Sequence, residues 1–297
     1  MKTLNGVILK GIGGFYYVET AEKVYECKAR GKFRREGLIP VAGDNVEICF
    51  ADDCAAPVID KILERKNFLV RPPVANLDRL LIVVSTCQPQ PSLPIIDKLI
   101  AMAESKNIEP IILISKSDIV SANDIYDIYS LSGFTTIIID YQNAECISNI
   151  KEIMSQGISA LAGNSGVGKS TLLNAVFPQL NQKTASISDK LGRGRHTTRE
   201  VELFNLPFGG KIADTPGFSS LELENIAPIY KEELPFCFRE FEDYLGTCRF
   251  TSCSHTVEKG CAILEALQQG AIQKSRHESY TLMYNEVKNI KDWEKKN

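Results

Sequence analysis

Apolar and polar positions alternate in short runs over the first fifth of the chain: Asn5-Gly-Val-Ile-Leu9, Gly14-Phe-Tyr-Tyr-Val18, Val24-Tyr-Glu-Cys27 and Asn45-Val-Glu-Ile-Cys49. Successive side chains on a strand point to opposite faces, so such runs read as strands with one face on a core. Gly11, Gly13, Gly14, Gly31, Gly37 and Gly43 punctuate them. Several short strands at regular spacing predict a small β-barrel, and an OB-fold fits the length. From Arg71-Pro-Pro73 onward the pattern changes. Apolar runs (Leu80–Val84, Ile111–Ser115, Thr136–Ile139) alternate with helical segments (Ile95–Ser105, Asp124–Leu131, Ile147–Met154). That alternation predicts a doubly wound parallel sheet. Beyond Ser219 the pattern is helix-rich, carries a cysteine cluster and offers no obvious apolar core of its own. Three domains are expected: an N-terminal β-barrel (OB-fold) over 1–68, a central α/β domain over 69–219, and a C-terminal mainly helical domain over 220–297.

Composition narrows the class. The chain has 297 residues, enough for two domains or three small ones. No apolar run approaches the roughly 20 residues of a membrane span, and Met1-Lys-Thr-Leu-Asn-Gly6 lacks the apolar stretch of a signal peptide. A cytoplasmic protein without a membrane partner is expected. Nine cysteines, an odd number, argue against a simple disulfide framework. The net charge of −3 argues against nucleic-acid binding by the whole surface while leaving room for a local basic patch.

The chemistry enters at Gly163-Asn164-Ser165-Gly166-Val167-Gly168-Lys169-Ser170, a complete GxxxxGK[ST] phosphate-binding loop. It follows the apolar run Ile158–Ala162 and precedes helix-forming residues Thr171 to Val176, the strand–loop–helix context this motif requires. Glycines let main-chain N–H groups turn inward onto phosphate oxygens, and the helix start adds partial positive charge. Lys169 would reach the β- and γ-phosphates and Ser170 would coordinate Mg²⁺. Asp214-Thr-Pro-Gly217 follows the apolar Lys211-Ile-Ala213 and reads as a DxxG element. Its Asp214 would hold Mg²⁺ through water, and the Gly217 N–H would sense the γ-phosphate.

Base choice falls to Ser115-Lys116-Ser117-Asp118, which resembles NKxD at a strand end. Guanine presents two donors on one edge and a carboxylate accepts both, so Asp118 argues for GTP over ATP. The Lys116 stem can lie over the base as an apolar lid. Ser115 stands where Asn is usual, and a hydroxyl is expected to fall short of both the base and the phosphate loop. The order of these elements is unusual. In ordinary GTPases the phosphate loop precedes NKxD, whereas here Asp118 lies about 45 residues before Gly163. Binding requires only that the loops meet at the carboxyl ends of the sheet strands, so a circularly permuted GTPase domain satisfies both facts.

Three further features matter. Cys248-x4-Cys253-x-His255-x5-Cys261 offers three thiolates and an imidazole, a tetrahedral set suited to one structural Zn²⁺. Cys27, Cys49, Cys54, Cys87, Cys146 and Cys237 fall outside it and read as packing residues. Lys28-Ala-Arg30-Gly-Lys32-Phe33-Arg34-Arg35 carries five cations and no acid. It could follow an RNA backbone with Phe33 stacked on a base, or form a solvated loop. Between the phosphate loop and DxxG, where GTPases keep switch I, lies Asp189–Arg199. A hydroxyl from Thr197 or Thr198 would complete the Mg²⁺ shell, and His196 could orient the attacking water. Phe218 occupies the position of a water-orienting Gln in many GTPases, so unaided hydrolysis should be slow.

Taken together, these elements resemble the ribosome small-subunit-dependent GTPase A family, circularly permuted bacterial GTPases that assist late maturation of the 30S subunit. Arg30-Gly-Lys-Phe-Arg-Arg-Glu-Gly37 with Gly43-Asp44, Gly194-Arg-His-Thr-Thr198, and Cys248, Cys253, His255 and Cys261 carry the resemblance. It implies a GTPase cycling between GTP and GDP, contact with the 30S subunit and 16S rRNA, and hydrolysis stimulated by the subunit. A monomer is expected. Two other readings stay open at this point: a P-loop ATPase or small-molecule kinase, and a degenerate GTPase serving as a nucleotide-dependent binding module.

Overall fold

The computed structural model describes residues 2–50, 56–178, 201–214 and 229–291. The alternating N-terminal runs fold as β1 (Lys2–Ile12), β2 (Phe15–Thr20) and β3 (Val24–Ala29), then a short helix α1 (Gly31–Arg35), β4 (Asn45–Phe50) and β5 (Val58–Ile62). They close a barrel in the order β1-β2-β3-β5-β4, with β1 also pairing antiparallel to β4. This is the OB topology expected from the spacing. Strand β5 was not legible in the pattern, yet it closes the barrel by pairing parallel to β3 and antiparallel to β4. Ile8, Val18, Cys27, Val46, Ile48 and Ile59 fill the interior, together with Phe33 from α1. At Gly6 the chains approach so closely that a Cβ would stand 2.4 Å from the Glu19 carbonyl oxygen.

A hairpin of β6 (Phe68–Val70) and β7 (Pro73–Ala75) follows the barrel. Asn67 and Asn76 fasten it by hydrogen bonds to Leu77 and to the Gly43 carbonyl, and buried Asp44 receives Arg65 at 2.7 and 2.8 Å. A buried carboxylate requires such charge-assisted partners.

The alternating segment then forms β8 (Arg79–Ser85), α2 (Leu93–Ser105), β9 (Glu109–Ser115), α3 (Asn123–Leu131), β10 (Thr135–Ile138), α4 (Ala144–Met154), β11 (Ile158–Ala162), α5 (Lys169–Val176), β12 (Glu202–Asn205) and β13 (Lys211–Asp214). Six of these strands form one sheet in the order β10-β9-β8-β11-β13-β12. β9 and β10 are parallel, as are β11 and β13, while β12 runs antiparallel to β13 at the edge. Nearly every residue of β8, β9 and β11 is buried, which explains their continuous apolar runs. Lys10 of β1 pairs with Glu202 of β12 at 2.7 Å, and Glu19 of β2 takes Lys211 of β13 and Asn205.

Among the described residues the C-terminal part contains two 3-10 turns, Leu234–Cys237 and Arg239–Tyr244, then α6 (Ala262–Gln268) and α7 (Lys274–Val287). The expectation that this part lacks an apolar core is wrong. Leu234, Phe238, Phe241, Ile263, Ile272, Tyr280 and Met283 make one with Ala101 of α2. These residues are spread over turns and two short helices, so no periodic stripe betrays them. Beside this core Arg276 of α7 is fully buried and bonded to Asp97 of α2 at 2.7 Å and to Glu240 at 2.7 and 3.2 Å.

By backbone contacts the chain divides into two units. One comprises Met1–Arg79, Tyr141–Leu161 and Ser170–Phe218; the other comprises Leu80–Asp140, Ala162–Lys169 and Ser219–Asn297.

Candidate nucleotide and metal sites

The phosphate loop hangs between a fully buried strand and a helix that starts at Lys169. Gly163, Gly166 and Gly168 have φ of +132°, +81° and +102°, a region that L side chains rarely adopt. At Gly163 space also decides: a Cβ would lie 2.3 Å from the Val83 carbonyl oxygen of β8. The Lys169 ammonium donates to the Gly163 and Asn164 carbonyls at 2.6 and 2.8 Å, folded back over its own loop. Burial lowers its pKa below the ordinary lysine value. Ser170 and Thr171 stand exposed on the first turn of α5, and Leu172 and Val176 anchor that helix from beneath.

Ser115, at the end of β9, is buried, and its hydroxyl donates to the Val167 carbonyl of the phosphate loop at 2.6 Å. The expected shortfall in reach is therefore corrected for the loop: a buried strand end brings serine near enough to do what a longer amide was thought to require. Lys116 follows with φ +61°, and its ammonium donates to the Gln88 carbonyl. Ser117 is half-buried and Asp118 exposed in the turn that comes next. Asp214 ends β13 with its side chain exposed. Thr197, Thr198, His196, Gly217 and Phe218 lie outside the described residues.

The four ligands of the cysteine cluster meet. Their ligand atoms all lie within 4.8 Å of one another. His255 Nδ1 is 3.5 Å from the Sγ atoms of both Cys248 and Cys261, which are themselves 3.8 Å apart. Tetrahedral Zn²⁺ with bonds of about 2.3 Å to sulfur places two sulfurs about 3.8 Å apart, so the cradle fits that ion. Neighbours hold the ligand loop in shape. His277 Nε2 lies 2.8 Å from the His255 carbonyl, and the Tyr280 hydroxyl donates to the Ser254 carbonyl at 2.9 Å. The Glu258 carboxylate accepts from the Ser254 hydroxyl and from the N–H groups of Ser254, Thr256 and Val257. Burial alone would raise this carboxyl, but those donors outweigh it and hold it down at about 2. Burial depresses the pKa of His255, which favours the neutral ring that a metal needs.

Comparison with known proteins decides the family. The model of the RsgA GTPase matches residues 62–224, and that of the RsgA N-terminal domain matches residues 5–57. The chain belongs to the RsgA GTPase family. A small ribosomal subunit biogenesis GTPase RsgA of Caldanaerobacter subterraneus subsp. tengcongensis is 42% identical over 97% of each chain. Its counterpart in Ruminiclostridium cellulolyticum is 42% identical over 98% of this chain and 96% of that one. YjeQ from Thermotoga maritima shares the fold with a TM-score of 0.81 and 34% identity, over 98% of this chain and 100% of that one. YloQ, described as a circularly permuted GTPase, gives 0.79 and 32% over 98% and 96%. As a member of the RsgA GTPase family the protein is a GTP-hydrolysing enzyme with permuted motif order.

Within that family frame one site residue must be revised. Phe33 is only 3% exposed and packs inside the barrel, so it does not offer a ring for base stacking. The helical turn of α1 points the lone aromatic inward and the cations outward. Lys28, Arg30, Arg34 and Arg35 are exposed, Lys32 is half-buried, and Arg30 and Lys32 pair with Asp60 at 2.9 and 3.6 Å. Sequence reasoning missed Glu258 and His277, since each acts through a contact that no motif spacing announces. Among the cysteines read as packing residues, Cys27, Cys49 and Cys237 are buried, Cys87 and Cys146 half-buried, and Cys54 lies outside the described residues.

Proposed function

We propose that this GTPase acts in late maturation of the small ribosomal subunit, binding the 30S particle in its GTP form and leaving after hydrolysis. The buried hydrogen bond from Ser115 to the Val167 carbonyl carries the nucleotide reading, because it ties a guanine-reading turn to the phosphate loop despite the permuted order. In this reading Asp118 accepts from guanine and the Lys116 stem covers the base. Main-chain N–H groups of 163–171 and the Lys169 ammonium receive the phosphates, with Lys169 exchanging loop carbonyls for phosphate oxygens. Mg²⁺ would be held by Ser170, Asp214 and Thr197 or Thr198, and it would neutralise charge on the β- and γ-phosphates. The exposed hydroxyl of Ser170 and carboxylate of Asp214 suit that hard cation. Gly217 would sense the γ-phosphate, and His196 would align the attacking water.

The exposed Lys28, Arg30, Arg34 and Arg35, with the half-buried Lys32, give the barrel a face for 16S rRNA phosphates, without a stacked ring. One Zn²⁺ on Cys248, Cys253, His255 and Cys261 would order the C-terminal domain. Domains at 1–68, 69–219 and 220–297, a monomeric state and a cytoplasmic site of action complete the proposal. Curated relatives named for small-subunit biogenesis over nearly the full chain support the ribosomal part.

The test is GTP turnover by the full chain with and without purified 30S subunits. Stimulation in wild type and none in Lys169→Ala are expected. Equal rates with and without subunits would overturn the ribosomal reading, and unchanged turnover in Lys169→Ala would overturn the assigned site.

A further inference from the structure

The turn that carries Asp118 is organised around one oxygen, and a residue far from any motif holds that oxygen. Lys116 has left-handed backbone, φ +61°. Its carbonyl accepts the N–H of Ile119 at 3.0 Å, with the Val120 N–H farther off at 3.4 Å, and so closes the turn from Ser117 to Val120. The same carbonyl accepts the hydroxyl of Thr86 at 2.8 Å. Thr86 lies one residue past the end of β8 and is 6% exposed. Its backbone N–H donates to the Ser115 carbonyl at 3.1 Å, so Thr86 grips two successive carbonyls across the strand ends. The first of these belongs to the residue whose hydroxyl reaches the phosphate loop.

We propose that Thr86 is a positioning residue for guanine recognition, its hydroxyl fixing the carbonyl about which the base-reading turn is built. A left-handed residue is easily displaced unless its surroundings determine it. The backbone pairing of Thr86 survives any substitution other than proline, whereas the contact to Lys116 depends on the hydroxyl alone. Removing it leaves the Lys116 carbonyl with the turn's own N–H partners and no tie to β8. Lys116 and Asp118 then sample positions off the base edge. Binding weakens because pre-organisation is lost, while the phosphates and the attacking water remain where the phosphate loop puts them. This inference rests on the reading of Asp118 as the guanine acceptor.

The experiment measures KM and kcat of the full chain for GTP and for ITP, which lacks the exocyclic amino group that Asp118 reads. Thr86→Val keeps the shape and removes the hydroxyl; Thr86→Ser restores a donor. For Thr86→Val the KM for GTP should rise about tenfold, as for a lost buried hydrogen bond. Its kcat should stay within about twofold of wild type, since uniform binding alone is lost. The preference for GTP over ITP should shrink with it, and Thr86→Ser should behave as wild type. If Thr86→Val folds poorly, Thr86→Ala removes the same hydroxyl with less bulk against the strand and reads the same comparison. Wild-type KM and an unchanged GTP-to-ITP preference in a folded hydroxyl-less variant would overturn the inference. Asp118→Asn serves as the separate control: failure to gain XTP would overturn the reading of Asp118 itself, whatever Thr86 does.

Discussion

Ser115 shows how little a single residue's chemistry says until its distance to neighbours is known. An isolated serine is shorter than asparagine, yet here 2.6 Å separates its oxygen from the Val167 carbonyl. Both are buried, so the bond cannot be replaced cheaply by water. Ser115→Ala would orphan the Val167 carbonyl, at about 1–3 kcal/mol. Nucleotide affinity should fall about tenfold or more while the barrel and C-terminal core keep their stability. Titration with a fluorescent GDP analogue, set beside thermal unfolding, checks both halves. Affinity equal to wild type would mean that the phosphate loop holds its shape without help. Phe33 is the opposite lesson. An aromatic among five cations suggested nucleic acid, but its burial assigns it to the core. Phe33→Ala should lower stability by about 3–5 kcal/mol, the usual loss for a truncated core phenylalanine. Denaturant unfolding reads that loss, and a stability change near zero would return Phe33 to the surface role.

At the scale of elements, the barrel and the sheet follow from the period of their sequences, but the C-terminal elements do not. Two 3-10 turns and helices α6 and α7 converge on Phe238, Phe241 and Tyr280, whose rings lie 5.0 to 5.3 Å apart between centroids. The Cys₃His loop grips this core through His277 and Tyr280. Metal and core should therefore support each other. Cys253→Ser should abolish binding of one Zn²⁺ per chain and make the metal loop protease-sensitive, while the aromatic core limits the damage to that loop. Elemental analysis with limited proteolysis measures this; unchanged zinc content would exclude Cys253 as a ligand. Glu258 adds an acid dependence to the same loop. Its folded pKa of about 2 lies below the unfolded value of about 4.3. Its contribution is thus present above that unfolded value and is lost as pH falls toward 2.

At the scale of the molecule, ion pairs among the described residues fasten segments that are distant in sequence. Asp97 and Arg276 are 179 residues apart in sequence, and both side chains are fully buried. Losing Arg276 would strand the Asp97 carboxylate, a penalty of about 3–5 kcal/mol, whereas losing Asp97 leaves Arg276 its second partner Glu240. The edge hairpin of β12 and β13 is likewise fastened to the barrel by Lys10 with Glu202 and by Glu19 with Lys211. Strand β12 begins just after the segment that carries His196, and β13 ends at Asp214. His196→Ala should keep GTP and 30S binding but lose most of the subunit-stimulated rate. A hundredfold gain needs only about 2.7 kcal/mol, within what ordering a loop can supply. Stimulation equal to wild type would move the catalytic group elsewhere, to the ribosome in the first instance.

The phosphate loop, the Ser115–Asp118 turn and the Cys₃His set were legible in the sequence because each is a local pattern, and the inverted order of the first two follows from their positions in the chain. Their chemistry depends on residue types at short fixed spacings, and a strand end or a tight loop brings such neighbours together whatever the rest of the chain does. The OB barrel and the parallel sheet were legible for a related reason, since burial on one face or on two imposes a period. What the sequence left undecided depends on contacts between remote segments. Strand β5 closes the barrel only when β3 and β4 stand on either side of it. The buried Arg276 cluster, the aromatic C-terminal core, the inward turn of Phe33 and the grip of Thr86 and Ser115 on their neighbours come from through-space distance. Packing alone fixes that distance, because a hydrogen bond or a buried charge is stabilising only within a few tenths of an ångström of its partner and away from water.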